Sequence, residues 1–379
     1  MPLYHTEDQA MLADTARPFM AEEGAIAKQL RHFRDINCKD GFGHALWKQF
    51  AELGFTGMLV AEADGGLGMG HVEAGIVLEE VGRNLTPSPF LTSSVMAATA
   101  LGAASAELKG RYLPGLLSGD AVFAVAIDEG AKHRPERIKT RAVRSGNGFS
   151  LSGSKAFVVH GGSADMLVVA ARTAGNDDDD AGITLFAVPK DVAGLSQDAV
   201  RLVDSSVATH VKLDNVQLDA DAVIGEVDGG RDLLNKVLAA GRIGAAAESL
   251  GVAGGSFDMT TTYLKQRKQF GRLIGEFQAL QHRAAHLYSE IEIARAVVIK
   301  AQQLLDAGSE KAELMVSVAK AKAGKAAALA VKEGVQMHGG IGMTDEYDIG
   351  LYMKRDRALA EFMGDVYYHA ERVARLSGY

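Results

Sequence analysis

Cysteine is almost missing from this chain of 379 residues: Cys38 is the single one. No intrachain disulfide can form, so the fold must rest on its core, and a reducing, cytoplasmic setting is expected. Positive charge is not in excess either. The formal net charge is −8, which disfavours nucleic acid as the main partner. No apolar run approaches the ~18 residues of a membrane span, so no membrane partner is expected. Residues Met1 to Asp8 carry no basic segment leading into an apolar one and do not read as a secretory signal. Proline supplies the most telling absence. All seven prolines lie at or before Pro189, and the remaining 190 residues have none.

Proline costs about 3 kcal/mol inside a helix, so its absence from a stretch rich in Ala, Leu, Glu, Lys and Gln predicts long, unbroken helices. Leu280, Ala284, Leu287, Ile291, Ala294 and Val298 recur every four or three residues. That spacing is one apolar face of a helix. Helices are predicted near 230–266, 276–307, 311–338 and 356–376, which suggests an antiparallel four-helix bundle.

The middle of the chain has a different texture. The runs at 122–127, 149–159, 166–172, 183–188 and 211–218 are short and rich in β-branched and aromatic residues. Turn clusters such as Ser145-Gly146-Asn147-Gly148 separate them. These read as a small antiparallel sheet or barrel. The first ~118 residues are again helical in pattern, broken mainly by Asp64–Gly70. The expected architecture is α+β: an N-terminal helical domain (1–118), a central antiparallel β-domain (119–225) and a C-terminal four-helix bundle (226–379). Electrically, the strongest cluster is Asp177–Asp180. Consecutive side chains cannot converge on one ion, so it reads as a solvated loop tip.

Several familiar motifs are missing. The glycines at 65–70 do not spell G-x-G-x-x-G after a strand, and Gly324-Lys325 is followed by alanine rather than the hydroxyl residue of a phosphate loop. No G-x-S-x-G elbow occurs. His282 and His286 are one helical turn apart, but Arg283 stands where H-E-x-x-H has its glutamate, so no metal site is expected. Taken singly, Arg267 before Phe270-Gly271 is a helix-terminal cation with a stop glycine, and Gly339-Gly340-Ile341-Gly342 is an interhelical turn.

Together and in order, these segments carry more. Leu53-Gly54-Phe55-Thr56-Gly57, Asp64–Gly70, Leu78–Arg83, Lys155–Gly161, Arg242, Arg267–Gln278 and Gln336–Gly342 resemble the acyl-CoA dehydrogenase family along nearly the whole chain. Arg267–Gln278 is similar to R-x-x-F-G-x-x-[IL]-x-x-x-Q, and Gln336–Gly342 to Q-x-x-G-G-x-G. Within the family, the chain most resembles the small subunit of pimeloyl-CoA-type dehydrogenases. The resemblance implies the three-part fold above, a homotetramer or a heterotetramer with a homologous subunit, and FAD as cofactor. It implies an acyl-CoA thioester as substrate in fatty acid metabolism, and an electron-transferring flavoprotein as electron acceptor.

By the same resemblance, the cofactor-contacting positions are Asp128, Phe157, Val159, Arg267, Phe270, Ile274, Gln336, Gly339, Gly340 and Asp365. Arg267 and Phe270 would reach a neighbouring subunit's FAD. Arg242, Met363 and Gly364 would belong to the substrate pocket. The implied reaction is α,β-desaturation: a glutamate takes an α-proton while hydride leaves the β-carbon. Here the sequence departs from the family. The residue before Gly364 is Met363, whose thioether cannot accept the proton. The alternative base position, just before Arg242, is Gly241. The family's tryptophan and threonine on the central strand are Phe157 and Val159. Its T-E-P-x-x-G-S-D loop is replaced by Asp128-Glu129-Gly130 and the basic Lys132, His133 and Arg134. Glu248, Glu361 and Asp365 are expected to be structural or surface residues rather than replacement bases. Three readings stand: a base-lacking subunit of a mixed tetramer, a self-sufficient enzyme with another base or elimination chemistry, and a non-catalytic acyl-CoA-binding scaffold.

Overall fold

A computed structural model describes residues 3–379. In chain order its helices are α1 (Glu7–Glu22), α2 (His44–Glu52), α3 (His71–Arg83), α4 (Ala106–Leu117), α5 (Arg231–Gln266), α6 (Gln278–Asp306), α7 (Ala312–His338), α8 (Ile349–Glu361) and α9 (Val366–Leu376), with shorter turns of helix between some of them. The strands are β1 (Phe123–Ala126), β2 (Arg141–Ser145), β3 (Gly148–Val159), β4 (Met166–Arg172), β5 (Ile183–Pro189), β6 (Leu195–Arg201), β7 (Val207–Leu218), β8 (Val223–Ile224), β9 (Lys268–Gln269) and β10 (Arg272–Leu273). Contacts gather the chain into two compact units. One holds the chain up to His32 with His71–Pro87 and Arg242–Tyr379; the other holds Phe33–Gly70 and Ser88–Gly241.

In the first unit, α7 packs against α6, α8 and α9, and α3 packs against α1 and α6. The proline-free half is helical, as its composition predicted. Leu287, Ile291, Ala294 and Val298 of the predicted stripe are buried on α6, while Leu280 and Ala284 at its start are half-buried. One prediction needs correction. The segment 356–376 is not one helix. α8 begins earlier, at Ile349, and stops at Glu361; α9 starts afresh at Val366. The break falls where Met363 (φ 60°) and Gly364 (φ 99°) both adopt the left-handed region, and where the Asp365 side chain accepts from Tyr368 N to cap the new helix.

The second unit carries an eight-stranded sheet in the order β6-β7-β3-β2-β4-β5-β8, with β1 beside β4. Most neighbours are antiparallel, as expected, but β4 runs parallel to β1 and, where Arg172 meets Arg141, to β2. Strands β4 and β5 are buried almost throughout, so they read as continuous apolar runs. β6 is an edge strand, largely exposed and polar, and β2 is mostly exposed; their patterns are weak enough that neither was predicted. The turn expected at 145–148 is a two-residue hairpin loop with Gly146 at φ 57°. Asp177–Asp180 is tied into its loop through Arg141, Arg137 and Arg231, which pair with Asp177, Asp178 and Asp180.

Candidate active site

Met363 lies in the first unit, on the turn between α8 and α9. Its residue is only 6% exposed, so a side chain at this position faces protein rather than solvent. The turn is fastened at successive carbonyls. His369 Nε2 lies 2.9 Å from the Met363 carbonyl. Lys320 Nζ donates to Leu359 O at 2.9 Å and to Gly364 O at 3.3 Å. Gly364 N donates to Glu361 O, and Asp365 caps α9 at 2.7 Å. Because Met363 is held in the left-handed region, Glu361 and Asp365 are not its helical neighbours. Glu361 is exposed and pairs with Arg357 at 3.1 Å. The Asp365 carboxylate is engaged by the helix it caps.

Arg242 is buried at 2% exposure. Its guanidinium donates to Tyr368 Oη at 3.0 Å and lies 5.6 Å from that ring's centroid. The same ring crowds Gly364: a Cβ there would sit 2.4 Å from Tyr368 Cδ1. The three predicted pocket residues are thus brought together, with Tyr368 as the piece linking Arg242 to Gly364. Gly364→Ala is expected to cost about 1–3 kcal/mol in denaturant unfolding, through backbone strain and displacement of Tyr368. An unchanged midpoint would contradict this packing. Gly241 is buried beside Arg242 on α5 and offers no carboxylate. Glu248, also on α5, is committed to Arg355 at 2.8 Å and is buried, so it serves the fold.

Sequence inspection missed Lys320, Tyr368 and His369. A signal for Lys320 was present. Val316, Ala319, Lys320, Ala323 and Ala327 share the buried stripe of α7, and a lysine on such a stripe must be paired or functional. Burial lowers the Lys320 amine to about 8, although Asp356, Asp365 and Glu361 work against that. Burial raises the neighbouring Asp356 carboxyl to about 6, opposed by Lys320.

The other predicted residues of this unit lie apart from the turn along the chain. Arg267 and Phe270 are on the β9–β10 hairpin, where Phe270 (φ 54°) and Gly271 (φ 80°) form the two-residue loop. Phe270 is 91% exposed. Ile274 donates its N–H to Arg267 O at 2.9 Å, pinning the hairpin base. Gln336, Gly339 and Gly340 are exposed at the end of α7. A Cβ at either glycine would meet nothing within 4 Å, so the backbone there is open to a ligand. His282 and His286 are both exposed, and no cluster of metal-ligating side chains occurs among the described residues.

In the second unit, Phe157 sits on a bulge of β3, at φ 52°, where the register with β7 shifts between Lys155 and Val158. The bulge turns its ring outward, 44% exposed and edge-on to His210 at 4.8 Å. Around it is a groove of about 610 Å³ whose lining includes Glu129, Gly130, Ser196, Asp198 and Lys212. Val159 is half-buried and paired with Ala208. The Asp128 carboxylate is occupied by its own loop, at 2.8 Å from His133 Nδ1 and 3.0 Å from Arg134 N. Within the groove lining, Lys155 Nζ bonds Glu129 Oε1 at 2.7 Å and Ile127 O at 3.1 Å. Glu129 also accepts from Thr140 N, Thr140 Oγ1 and Lys139 N. Burial alone would raise its carboxyl, but Lys155 and Thr140 hold it below the usual carboxylate range.

This arrangement defines a class: helical segments, a mainly antiparallel sheet and a helical bundle, with a bulged aromatic, an open Gly-Gly turn and a buried arginine by a left-handed turn. Family models for the N-terminal, middle and C-terminal domains of acyl-CoA dehydrogenases match residues 6–120, 126–216 and 228–377. The mitochondrial short/branched chain specific acyl-CoA dehydrogenase of Bos taurus is 31% identical over 93% of this chain and 82% of its own length. The chain belongs to the acyl-CoA dehydrogenase family. Among solved structures, the ChsE4–ChsE5 complex from Mycobacterium tuberculosis matches with a TM-score of 0.90 at 25% identity, covering all of both chains. A glutaryl-CoA dehydrogenase from Mycobacterium smegmatis in complex with FADH2 matches with a TM-score of 0.89 at 25% identity, covering 99% of this chain and 95% of that one. No helix among the described residues is long and apolar enough to cross a membrane.

Proposed function

We propose that this chain is a subunit of an FAD-dependent acyl-CoA dehydrogenase that does not itself supply the proton-abstracting carboxylate. In this reading it works in the cytoplasm within a tetramer containing a homologous subunit whose glutamate is intact, and within the family it most resembles the small subunit of pimeloyl-CoA-type dehydrogenases. One observation carries this reading. The turn that would present the base is buried and fastened at successive carbonyls, yet it bears Met363. The other base position is Gly241. The ChsE4–ChsE5 relative is itself a complex of two named chains, which supports a mixed assembly.

The residues present fit FAD. The groove around Phe157 offers an aromatic surface, and the exposed Gly339-Gly340 backbone accepts close approach by a phosphate or sugar. The exposed Arg267 would pair with pyrophosphate oxygens of a neighbouring subunit's FAD, for which its planar fork is suited. FAD supplies the acceptor for the hydride that leaves the β-carbon. An α-C–H beside a thioester is a weak acid, so the enolate-like charge needs hydrogen-bond donors at the thioester oxygen. Met363 retains a backbone N–H for that purpose even without a basic side chain. An electron-transferring flavoprotein would be the electron acceptor, as the family resemblance implies.

The test is purification alone and after co-expression with a homologous dehydrogenase subunit that carries the glutamate, followed by a visible spectrum and desaturation assays with an artificial acceptor. The lone chain is expected to desaturate no acyl-CoA, and the mixed complex to bind FAD and turn over. Robust desaturation by the lone chain would overturn the proposal.

A further inference from the structure

Lys320 is buried at 2% exposure in the middle of α7, and no carboxylate lies within ion-pair distance of it among the described residues. Its ammonium instead spends its hydrogen bonds on two main-chain carbonyls, Leu359 O and Gly364 O. Leu359 O belongs to the last turn of α8, and Gly364 O to the entry of α9. Lys320 therefore spans the break in which Met363 lies, while His369 holds the carbonyl between. A buried amine is an expensive way to close a helix break that glycine and a cap residue already permit.

We propose that Lys320 is a positioning residue for acyl-CoA: it fixes the Met363–Gly364 turn against the thioester, and its charge sets an alkaline limit on thioester binding. The inference rests on the acyl-CoA reading above. Charge-assisted hydrogen bonds are roughly twice as strong as neutral ones, so the turn is held most firmly while the amine is protonated. Several charged groups bear on it. Asp356 and Glu361 on α8 and Asp365 at the head of α9 favour the ammonium, and Arg242 on α5 opposes it. Asp356 in turn feels Lys332 of α7 and Arg357 of α8. Burial outweighs the three carboxylates and brings the amine to about 8, so the ammonium is present at neutral pH and lost as pH rises through that value.

The experiment is calorimetric titration of the purified chain with butyryl-CoA and octanoyl-CoA between pH 6.5 and 9.5, with amide hydrogen exchange over residues 359–366. In the wild type, affinity is expected to fall about five- to tenfold toward the alkaline end. Lys320→Met should bind weakly, with no pH dependence, and exchange faster at 359–366. Lys320→Arg, charged at every pH used, should recover protection and lose the alkaline limb. Asp356→Asn removes a charge that favours the ammonium without touching its hydrogen bonds. It should move the limb to lower pH while sparing affinity at pH 6.5, and this arm survives if Lys320→Met fails to fold. Parallel pH profiles in the wild type and Asp356→Asn would overturn the proposal, as would equal exchange in the wild type and Lys320→Met. If neither acyl-CoA binds at any pH, the acyl-CoA reading fails, and the exchange measurements still decide whether Lys320 holds the turn.

Discussion

If the proposed function holds, Met363→Glu is expected to raise acyl-CoA desaturation by this chain by about 10²–10⁴, the usual contribution of a positioned general base. On that proposal only the side chain is missing. The backbone at 363 already has its left-handed conformation, the next carbonyl is tied to Lys320, and Arg242 is fixed through Tyr368. A carboxylate introduced there would have two buried cations, Arg242 and Lys320, in the same neighbourhood to favour its ionised form. The measurement is desaturation of short- and medium-chain acyl-CoA with an artificial electron acceptor, on protein carrying bound flavin. Gly241→Glu in parallel asks whether the alternative base position is equally prepared. A flavin-loaded Met363→Glu protein that binds acyl-CoA and remains inactive would show that the pocket has diverged beyond its base.

Lys155→Met should destabilise the sheet by about 1–3 kcal/mol, because it takes the cation from Glu129 while leaving that carboxylate its bonds from Thr140 and Lys139. For a chain of 379 residues that corresponds to a fall in melting temperature of about 1–4 °C. The pH dependence checks the cause. In the wild type the Glu129 carboxyl is held below its ordinary value, so its stabilising contribution is full above the unfolded value and disappears as pH falls through the lowered folded one. In Lys155→Met the largest influence lowering the Glu129 carboxyl is gone, so it takes up its proton at higher pH than in the wild type. The deficit relative to wild type should therefore be large near neutrality and shrink in acid. Denaturation at pH 7 and pH 4 gives both numbers. A constant deficit would point to lost packing of the lysine stem instead.

The helices of the proline-free half were legible because they are long and amphipathic, and local propensity agrees with packing over many turns. Strands β4 and β5 were legible because burial on both faces leaves continuous apolar runs. The short exposed strands β2 and β6 were not, since each is held by its neighbours and not by its own pattern. The break at 362–365 was written locally as Gly364-Asp365, a stop glycine followed by a cap residue. It was overlooked because the flanking residues continue a helical composition.

The sequence by itself determined the family, the order of helical and sheet regions, and the residues that stand at positions 241 and 363, glycine and methionine. Those are statements about residue identity and local periodicity, and they need no partner across the fold. Tertiary structure alone decided what Met363 is set into. Lys320, His369 and Tyr368 lie 43, 6 and 5 positions from it, with no motif joining them. Their meeting depends on α7 and α9 packing side by side. It likewise decided that Glu129 and Lys155 are one buried pair, that Asp128 serves its own loop, and that Phe157 is turned outward by a bulge. Distances between side chains far apart in sequence follow from packing, and packing is a property of the folded chain as a whole.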